Sequence, residues 1–452
     1  MIRATTGGVM KTYRYNLMNS FIRQNNAMNT ILTHRNFNSF AEDPASAARA
    51  FRLRKSRMTV TSQLTICTDT KKKYETAYSS LQSINDVLQT KDGQYGQYLK
   101  TLKGTTLDWL NDPTGDAREQ LTKVLDQMSE MLVQDMNQKY GDDFIFAGAD
   151  GHNVPFEVKE IDGHKKLFYR GVDVDAAVPE VVEDANGPLE VDAANNLATA
   201  GGGSYIKMDT SALISKQEYD DAVAAGTTVP NVLNQAAGGP AQPMTFNAKG
   251  EPDPGGAYYL DMDKAQTMTT SDYEKQKLDA EKLNYLANEE KCFVDIGLGF
   301  QEDKNGKLIE SSGFDAALQG INFLGCGLDE DGDPKNLYSL VQQMKELSDS
   351  VPEGGSWDGV WDEFDRLVGK FETACSNFTT QFANLAAGTT KLENNEELLT
   401  ANKDNLTEQY SDIEDVDDVE AISAFLWAQY AYNSALKVGN SVLSQSLMDY
   451  LN

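Results

Sequence analysis

The run WDGVWDEFDRLVGKFETACSNFTTQFANL, residues 357–385, decides the fold class. Its apolar side chains fall at Trp357, Trp361, Phe364, Val368, Phe371, Cys375, Phe378, Phe382 and Leu385, a 4-3-4-3 spacing. Such spacing lays one apolar seam along a long helix that must pack against another. Cys375 sits inside that seam, where a thiol serves as a small hydrophobe rather than a nucleophile.

Working outward, a second seam repeats at sevens through Cys67, Tyr74, Leu81, Leu88, Tyr95 and Leu102, with Ala77, Ile84 and Tyr98 between. It predicts a helix over about 60–105, weakened in its middle by Gly93 and Gly96. Asn111-Asp112-Pro113 offers a cap and a first-turn proline ahead of Leu121, Val124, Leu125, Met128, Met131, Leu132 and Met136. Short connections between such helices make a bundle, expected over 43–156 and 331–411.

The stretch 157–330 differs in kind. Gly201-Gly202-Gly203, Gly238-Gly239-Pro240 and Pro252-Asp253-Pro254-Gly255-Gly256 punctuate short β-like runs such as Leu167-Phe168-Tyr169. This predicts an inserted, mostly β domain with some helix near 271–290. Asn305-Gly306, between Gly299-Phe300-Gln301 and Lys307-Leu308-Ile309, is a hairpin signal.

Both ends are amphipathic. Met10, Leu17, Gln24 and Ile31 fall at sevens with Phe21 and Met28 beside them; Ile422, Gln429, Leu436, Leu443 and Tyr450 do the same, accompanied by Phe425, Leu426, Tyr432 and Leu447. Residues 1–60 hold ten Lys or Arg against Glu42 and Asp43, whereas 392–452 hold twelve acids against Lys403 and Lys437. Apolar faces and opposite charge together predict that 1–42 and 412–452 pair as the two halves of a terminal coiled coil. One partner helix offsets too little of the ordering cost, so Leu17, Phe21, Met28, Ile31, Ile422, Phe425, Leu436, Leu443 and Leu447 are expected to form an assembly interface with further copies.

Several function classes are disfavoured. The 452 residues carry 40 Lys plus Arg against 69 Asp plus Glu, a net charge of −29 that repels a nucleic-acid backbone. Arg14, Asn16, Asn19, Arg23, Asn25 and Asn26 interrupt the apolar stretches near the start, so no ordinary secretory leader is expected; the run from Ala421 to Leu436 is too short and polar for membrane insertion. Cys67, Cys292, Cys326 and Cys375 are isolated, and His34, His152 and His164 lack metal-ligand spacing. Asp329-Glu330-Asp331-Gly332-Asp333-Pro334 imitates a calcium loop, but its glycine comes early and Leu340 stands where the bidentate glutamate belongs. Neither a phosphate cradle nor a serine-hydrolase elbow nor a zinc-peptidase motif is present, so no enzyme and no cofactor is expected.

Asn38-Ser39-Phe40-Ala41-Glu42-Asp43-Pro44-Ala45-Ser46-Ala47-Ala48 resembles the N-S-A-x-D-D-P-A signature that follows the first helix of bacterial flagellins and flagellin-like hook-associated proteins. It departs at His34-Arg35-Asn36, which replaces the usual Gly-Leu/Lys-Arg, and at Glu42. Phe144-Ile145-Phe146-Ala147-Gly148 followed by Pro155-Phe156 is similar to the Y-I-F-A-G…P-F motif of the hook-filament junction (hook-associated protein 3) family. Asp412-Ile413-Glu414-Asp415-Val416-Asp417 and Ser446-Leu447-Met448-Asp449-Tyr450-Leu451 resemble that family's C-terminal motifs, and Phe168-Tyr169-Arg170-Gly171 is a smaller match within the insert.

The resemblance implies an elongated flagellin-like fold, mainly α with a β-rich insert, and a structural role in the bacterial flagellum outside the cell. It implies type III export without a cleaved signal, and a ring of copies between the first hook-associated junction protein and flagellin. An export chaperone would bind the C-terminal helix. A filament flagellin and a secreted enzyme carried on a flagellin-like frame are the alternatives.

Overall fold

The computed structural model describes residues 6–37, 39–88, 116–161, 163–225, 229–235, 241–351 and 360–451, with side chains left aside over 441–451. Tyr95, Tyr98, Leu102, Gly93, Gly96, the Asn111-Asp112-Pro113 cap, Trp357 and Gly238-Gly239-Pro240 lie outside the described residues. The chain divides into two compact units: residues 1–71, 294–313 and 390–452 form one, residues 72–293 and 314–389 the other.

Helices α1 (Thr6–Thr33), α2 (Pro44–Leu88), α8 (Trp361–Glu414) and α9 (Asp418–Leu451) are the long ones. α2 and α8 carry the two seams that start from Cys67 and from Trp361, and α2 starts at Pro44, ahead of the start near 60 expected from its seam. Asp43 supplies the reason: its carboxylate accepts from the Ala45 and Ser46 amides at 3.1 Å each, and Pro44 opens the helix where no donor is needed.

In the second unit, α3 (Asp116–Met136) packs against α7 (Leu337–Ser350). Leu121, Leu125, Met128, Leu132 and Met136 are buried, as are Leu337, Leu340, Val341 and Met344. The first half of α8 contributes Phe364, Phe371 and Phe378, each fully buried, while the C-terminal part of α2 brings Ala77, Leu81, Ile84 and Leu88. Tyr78 stacks on Phe382 with ring centroids 4.7 Å apart. The buried periodic positions pack α3 against α7, and α2 against α8 at Tyr78 and Phe382.

Between α3 and α7 lie the β elements. β1 (Phe156–Ile161), β2 (His164–Tyr169) and β3 (Val172–Asp173) form an antiparallel meander. Arg170 and Gly171 make its two-residue turn, both with positive φ (49° and 81°), which matches the turn to strand twist.

β4 (Glu190–Asp192), β5 (Leu197–Ala198), β6 (Ser204–Ile206), β7 (Asn234–Gln235), β8 (Gln242–Pro243) and β9 (Thr267–Thr269) form a sheet in the order β8-β7-β5-β4-β6-β9, with only β5 and β7 parallel. Val191, Ile206, Leu233, Phe246 and Leu260 form a core beneath it. Helices α4 (Lys216–Ala225), α5 (Thr270–Asn284) and the short α6 (Gly320–Leu324) complete this unit. α5 falls where helix was expected; its Thr269 cap bonds the Asp272 amide at 3.0 Å.

In the first unit, Asn305-Gly306 turns the chain with Gly306 at φ 77°, and Asp303 carboxylate oxygen accepts from the Asn305 and Lys307 amides. A single bridge, Glu302 to Leu308, closes the turn in place of the regular strands expected on either side. The side-chain turn of Asp303 satisfies the amides that a ladder would otherwise hold. Among the described residues no helix is long and apolar enough to cross a membrane.

Candidate assembly site

α1 and α9 lie against each other, and the packing seam on α9 alternates small residues with two aromatic ones. Ala421 and Gly439 are buried, and Phe425, Ala428, Tyr432 and Ala435 are half-buried between them. A Cβ at Gly439 would overlap the Tyr13 ring, so glycine there lets the tyrosine in. Phe21 meets Tyr432 with ring centroids 5.8 Å apart.

The seam places the expected interface residues unevenly. Leu17, Ile31 and Phe425 are half-buried, whereas Phe21, Met28, Ile422 and Leu436 stand 42–50% exposed. Ile422, Gln429 and Leu436, read at sevens, face away from the seam because the sequence 421-425-428-432-435-439 runs one residue earlier at 4-3-4-3-4 and its small side chains permit closer approach. The backbone is helical through Leu451; the side chains of Leu443, Leu447, Asp449, Tyr450 and Leu451 lie outside the described residues.

The outward faces remain strongly apolar. Tyr15, Met18, Ile22 and Leu32 on α1, and Leu426, Trp427, Tyr430 and Val438 on α9, are 44–71% exposed. A face of this kind marks a contact surface on a soluble protein.

A clasp ties the two chain breaks together. Asn36 donates its amide to Glu414 O at 2.8 Å and its Nδ2 to Asp415 O at 2.8 Å, while Arg35 and Asp415 form a β-bridge. His34 Nδ1 lies 2.9 Å from Asp418 Oδ1, and the buried Glu414 carboxylate meets Arg35 and Arg54, each at 3.3 Å. Arg57 lies over the Tyr410 ring, 4.8 Å from its centroid. The N-terminal half of the clasp, His34, Arg35 and Asn36, is the stretch that replaces the usual residues ahead of the flagellin signature. The signal available was the departure itself, set beside the opposite charge of Glu414, Asp415 and Asp418.

The Phe144–Gly148 motif has a different role. Phe144, Ile145, Phe146 and Ala147 are buried, and Ala147-Gly148 pairs with Leu318-Gln319. Tyr169 Oη donates to Phe146 O at 3.1 Å, and Arg170 Nη1 reaches both Glu290 carboxylate oxygens at 2.7 Å. Burial holds the Tyr169 hydroxyl pKa well above its ordinary value. Gly148 has φ 72°, and a Cβ there would strike Glu290 Oε2. Asn137 clamps Phe156 in both directions, donating at 2.9 Å and accepting at 3.0 Å. The motif is an internal brace, out of reach of a partner.

The aspartates of the calcium-like loop come together without making an open cation site. Asp329, Asp331 and Asp333 hold the Lys370 ammonium at 2.5, 2.7 and 2.6 Å, and Arg366 adds to Asp333. The ammonium occupies the place a metal would take, and Leu340 is buried in the core. Each histidine is paired with a carboxylate: His152 with Asp143 at 2.9 Å and His164 with Glu346 at 2.7 Å, besides His34. Cys67 and Cys375 are buried, and burial pushes both thiols up, which fits packing rather than reactivity.

A cleft of about 820 Å³ in the second unit is lined by Lys166, Asp173, Asp175, Asp272, Lys275 and Asp329 among others, with neither histidine nor cysteine among its described lining. Burial raises Asp175 to about 6, but its Oδ1 is closed off from solvent and has no hydrogen-bond partner.

Residues 368–451 match the family model of the bacterial flagellin C-terminal helical region, which covers most of α8 and all of α9. This part of the chain is flagellin-like. Among solved structures, the crystal structure of flagellar hook associated protein-3 from Legionella pneumophila matches at 12% identity over 79% of this chain and 98% of that one, with a TM-score of 0.33, too low to argue from. No curated protein matches.

Proposed function

We propose that this chain is a structural subunit of the bacterial flagellum, assembled through its terminal helix pair and placed as the layer between hook and filament. The observation that carries the assembly role is the flagellin-type C-terminal region folding into a helix whose outward face leaves Ile422, Leu426, Trp427, Tyr430 and Leu436 in solvent. A face so apolar needs neighbours, and copies of the same chain present the same face.

The junction position, rather than a place along the filament, is favoured by the resemblance of the Phe144–Gly148 and Pro155-Phe156 motifs to those of the hook-filament junction family, although here they act inside the second unit. In this role the chain contacts the first hook-associated junction protein on one side and flagellin on the other. It travels through the flagellar export apparatus with a chaperone on α9, whose exposed apolar face would otherwise aggregate before assembly.

Immunogold electron microscopy of native flagella carrying an epitope inside the insert tests the placement. Label confined to one band at the end of the hook is expected. Label along the whole filament would make the chain a filament flagellin, and label absent from flagella would end the structural role.

A further inference from the structure

The opposite charges of the two ends do not cancel within the first unit. Glu414 and Asp418 are taken by Arg35, Arg54 and His34. Arg49, Arg52 and Lys55 on α2 are exposed and have no carboxylate partner among the described residues. At 100° per residue they cover an arc of about 120°, which Phe51 and Met58, 68% and 67% exposed, continue.

A second uncompensated face lies on α8. Glu393, Glu397, Asp404, Glu408 and Asp412 are exposed, pair with no cation among the described residues, and share an arc of about 100° over about 28 Å of helix. Leu398, 66% exposed, flanks them. Glu393 with Glu397, Asp404 with Glu408, and Glu408 with Asp412 stand four apart, a spacing at which like charges repel. Each face is therefore destabilising in an isolated copy and is relieved by the other.

We propose that the basic face of α2, with Phe51 and Met58, docks on the acidic stripe of α8 in a second copy of this chain. The inference rests on the assembly role above and names the contact that drives it. With a net charge of −29, two copies repel at long range, so association requires a local patch of opposite sign. The two faces are different surfaces, so a bound pair still offers one of each. Such a head-to-tail contact propagates, closing into a ring or running on as a helix.

Sedimentation velocity of the full chain over a range of concentration, at low and at moderate salt, tests the contact. Association of the wild type is expected to weaken as salt screens the faces. Arg49→Glu with Arg52→Glu, and separately Glu408→Arg with Asp412→Arg, should each weaken it at least about tenfold. A chain carrying all four reversals should associate within about threefold of wild type, and an equimolar mixture of the two double variants should form mixed dimers. Recovery in the fourfold variant separates lost complementarity from lost folding, with helical circular dichroism as the control. If wild type associates and the reversals associate equally well, this contact is wrong and the assembly role stands. A wild type that stays monomeric at every concentration and salt overturns both.

Discussion

The first half of α8 and the first two-thirds of α9 carry comparable amounts of apolar side chain and end up in opposite conditions. Phe364, Leu367, Val368, Phe371, Phe378 and Leu385 on α8 are almost wholly buried. Ile422, Leu426, Trp427, Tyr430, Leu436 and Val438 on α9 are 42–71% exposed. The difference is one of partners: α8 there meets α2 at Tyr78 and α6 at Phe323, whereas α9 meets α1 through Ala421, Phe425, Ala428, Tyr432, Ala435 and Gly439 and leaves Trp427, Tyr430 and Leu426 outside. One helix is complete within the chain, and the other leaves an apolar face for the proposed assembly.

The comparison breaks first at Phe371. Replacing this fully buried ring by alanine removes its contacts and leaves a cavity, costing about 3–5 kcal/mol. Thermal melting of Phe371→Ala should drop by many degrees. An unchanged melt would mean that the α8 core is not what holds the second unit together.

Gly148→Ala comes next, because left-handed backbone costs a non-glycine residue roughly 1–2 kcal/mol and the Glu290 carboxylate must also move, at about 1–3 kcal/mol. Chemical denaturation should show a lower midpoint. A neutral result would show that Arg170 and Glu290 relax without cost.

Asp175 gives a pH-dependent effect of intermediate size. Burial raises its carboxyl from 3.8 to about 6, with Asp173 adding to the rise while Ser339 and Lys166 oppose it. The folded state then keeps a proton that the unfolded state has lost, so this group's contribution to stability falls as pH rises from about 4 to 6 and stays unfavourable above. Asp175→Asn should be more stable above pH 6 by on the order of 2 kcal/mol, with the gain vanishing near pH 4. Melting curves at half-unit pH steps check both the sign and the window.

The smallest effect sharpens the comparison from the other side. Trp427 is 71% exposed, so Trp427→Ala should change monomer melting by less than about 0.5 kcal/mol while reducing incorporation into flagella. A large loss of monomer stability would place Trp427 inside a core and remove the contrast with Phe371.

Local chemistry made much of the fold legible. The α8 seam, the helix near 271–290 and the Asn305-Gly306 turn follow from periodicity and a positive-φ glycine, whereas the seam on α2 placed its start near 60 and the Asp43 cap moves it to Pro44. The clasp at His34, Arg35 and Asn36 was not legible, because its partners Glu414, Asp415 and Asp418 lie nearly four hundred residues away. The tilt of the α9 seam was hidden for another reason: a heptad through Ile422 and Leu436 and a small-residue seam through Ala421 and Gly439 are both consistent with an amphipathic helix, and only Tyr13 entering at Gly439 chooses between them. The aspartate loop failed as a calcium site in the sequence for want of a glutamate, yet nothing there pointed to Lys370 as its occupant.

By itself the sequence determined which segments are helical, where they break and that the ends carry opposite charge, since these depend on residues within a few turns of one another. Tertiary structure decided which apolar faces are buried, which carboxylates are neutralised and that the Phe144–Gly148 motif is an internal brace. Those outcomes depend on what approaches from far along the chain, and side-chain size and charge at the approach, as with Tyr13 at Gly439 and Lys370 among three aspartates, settle them.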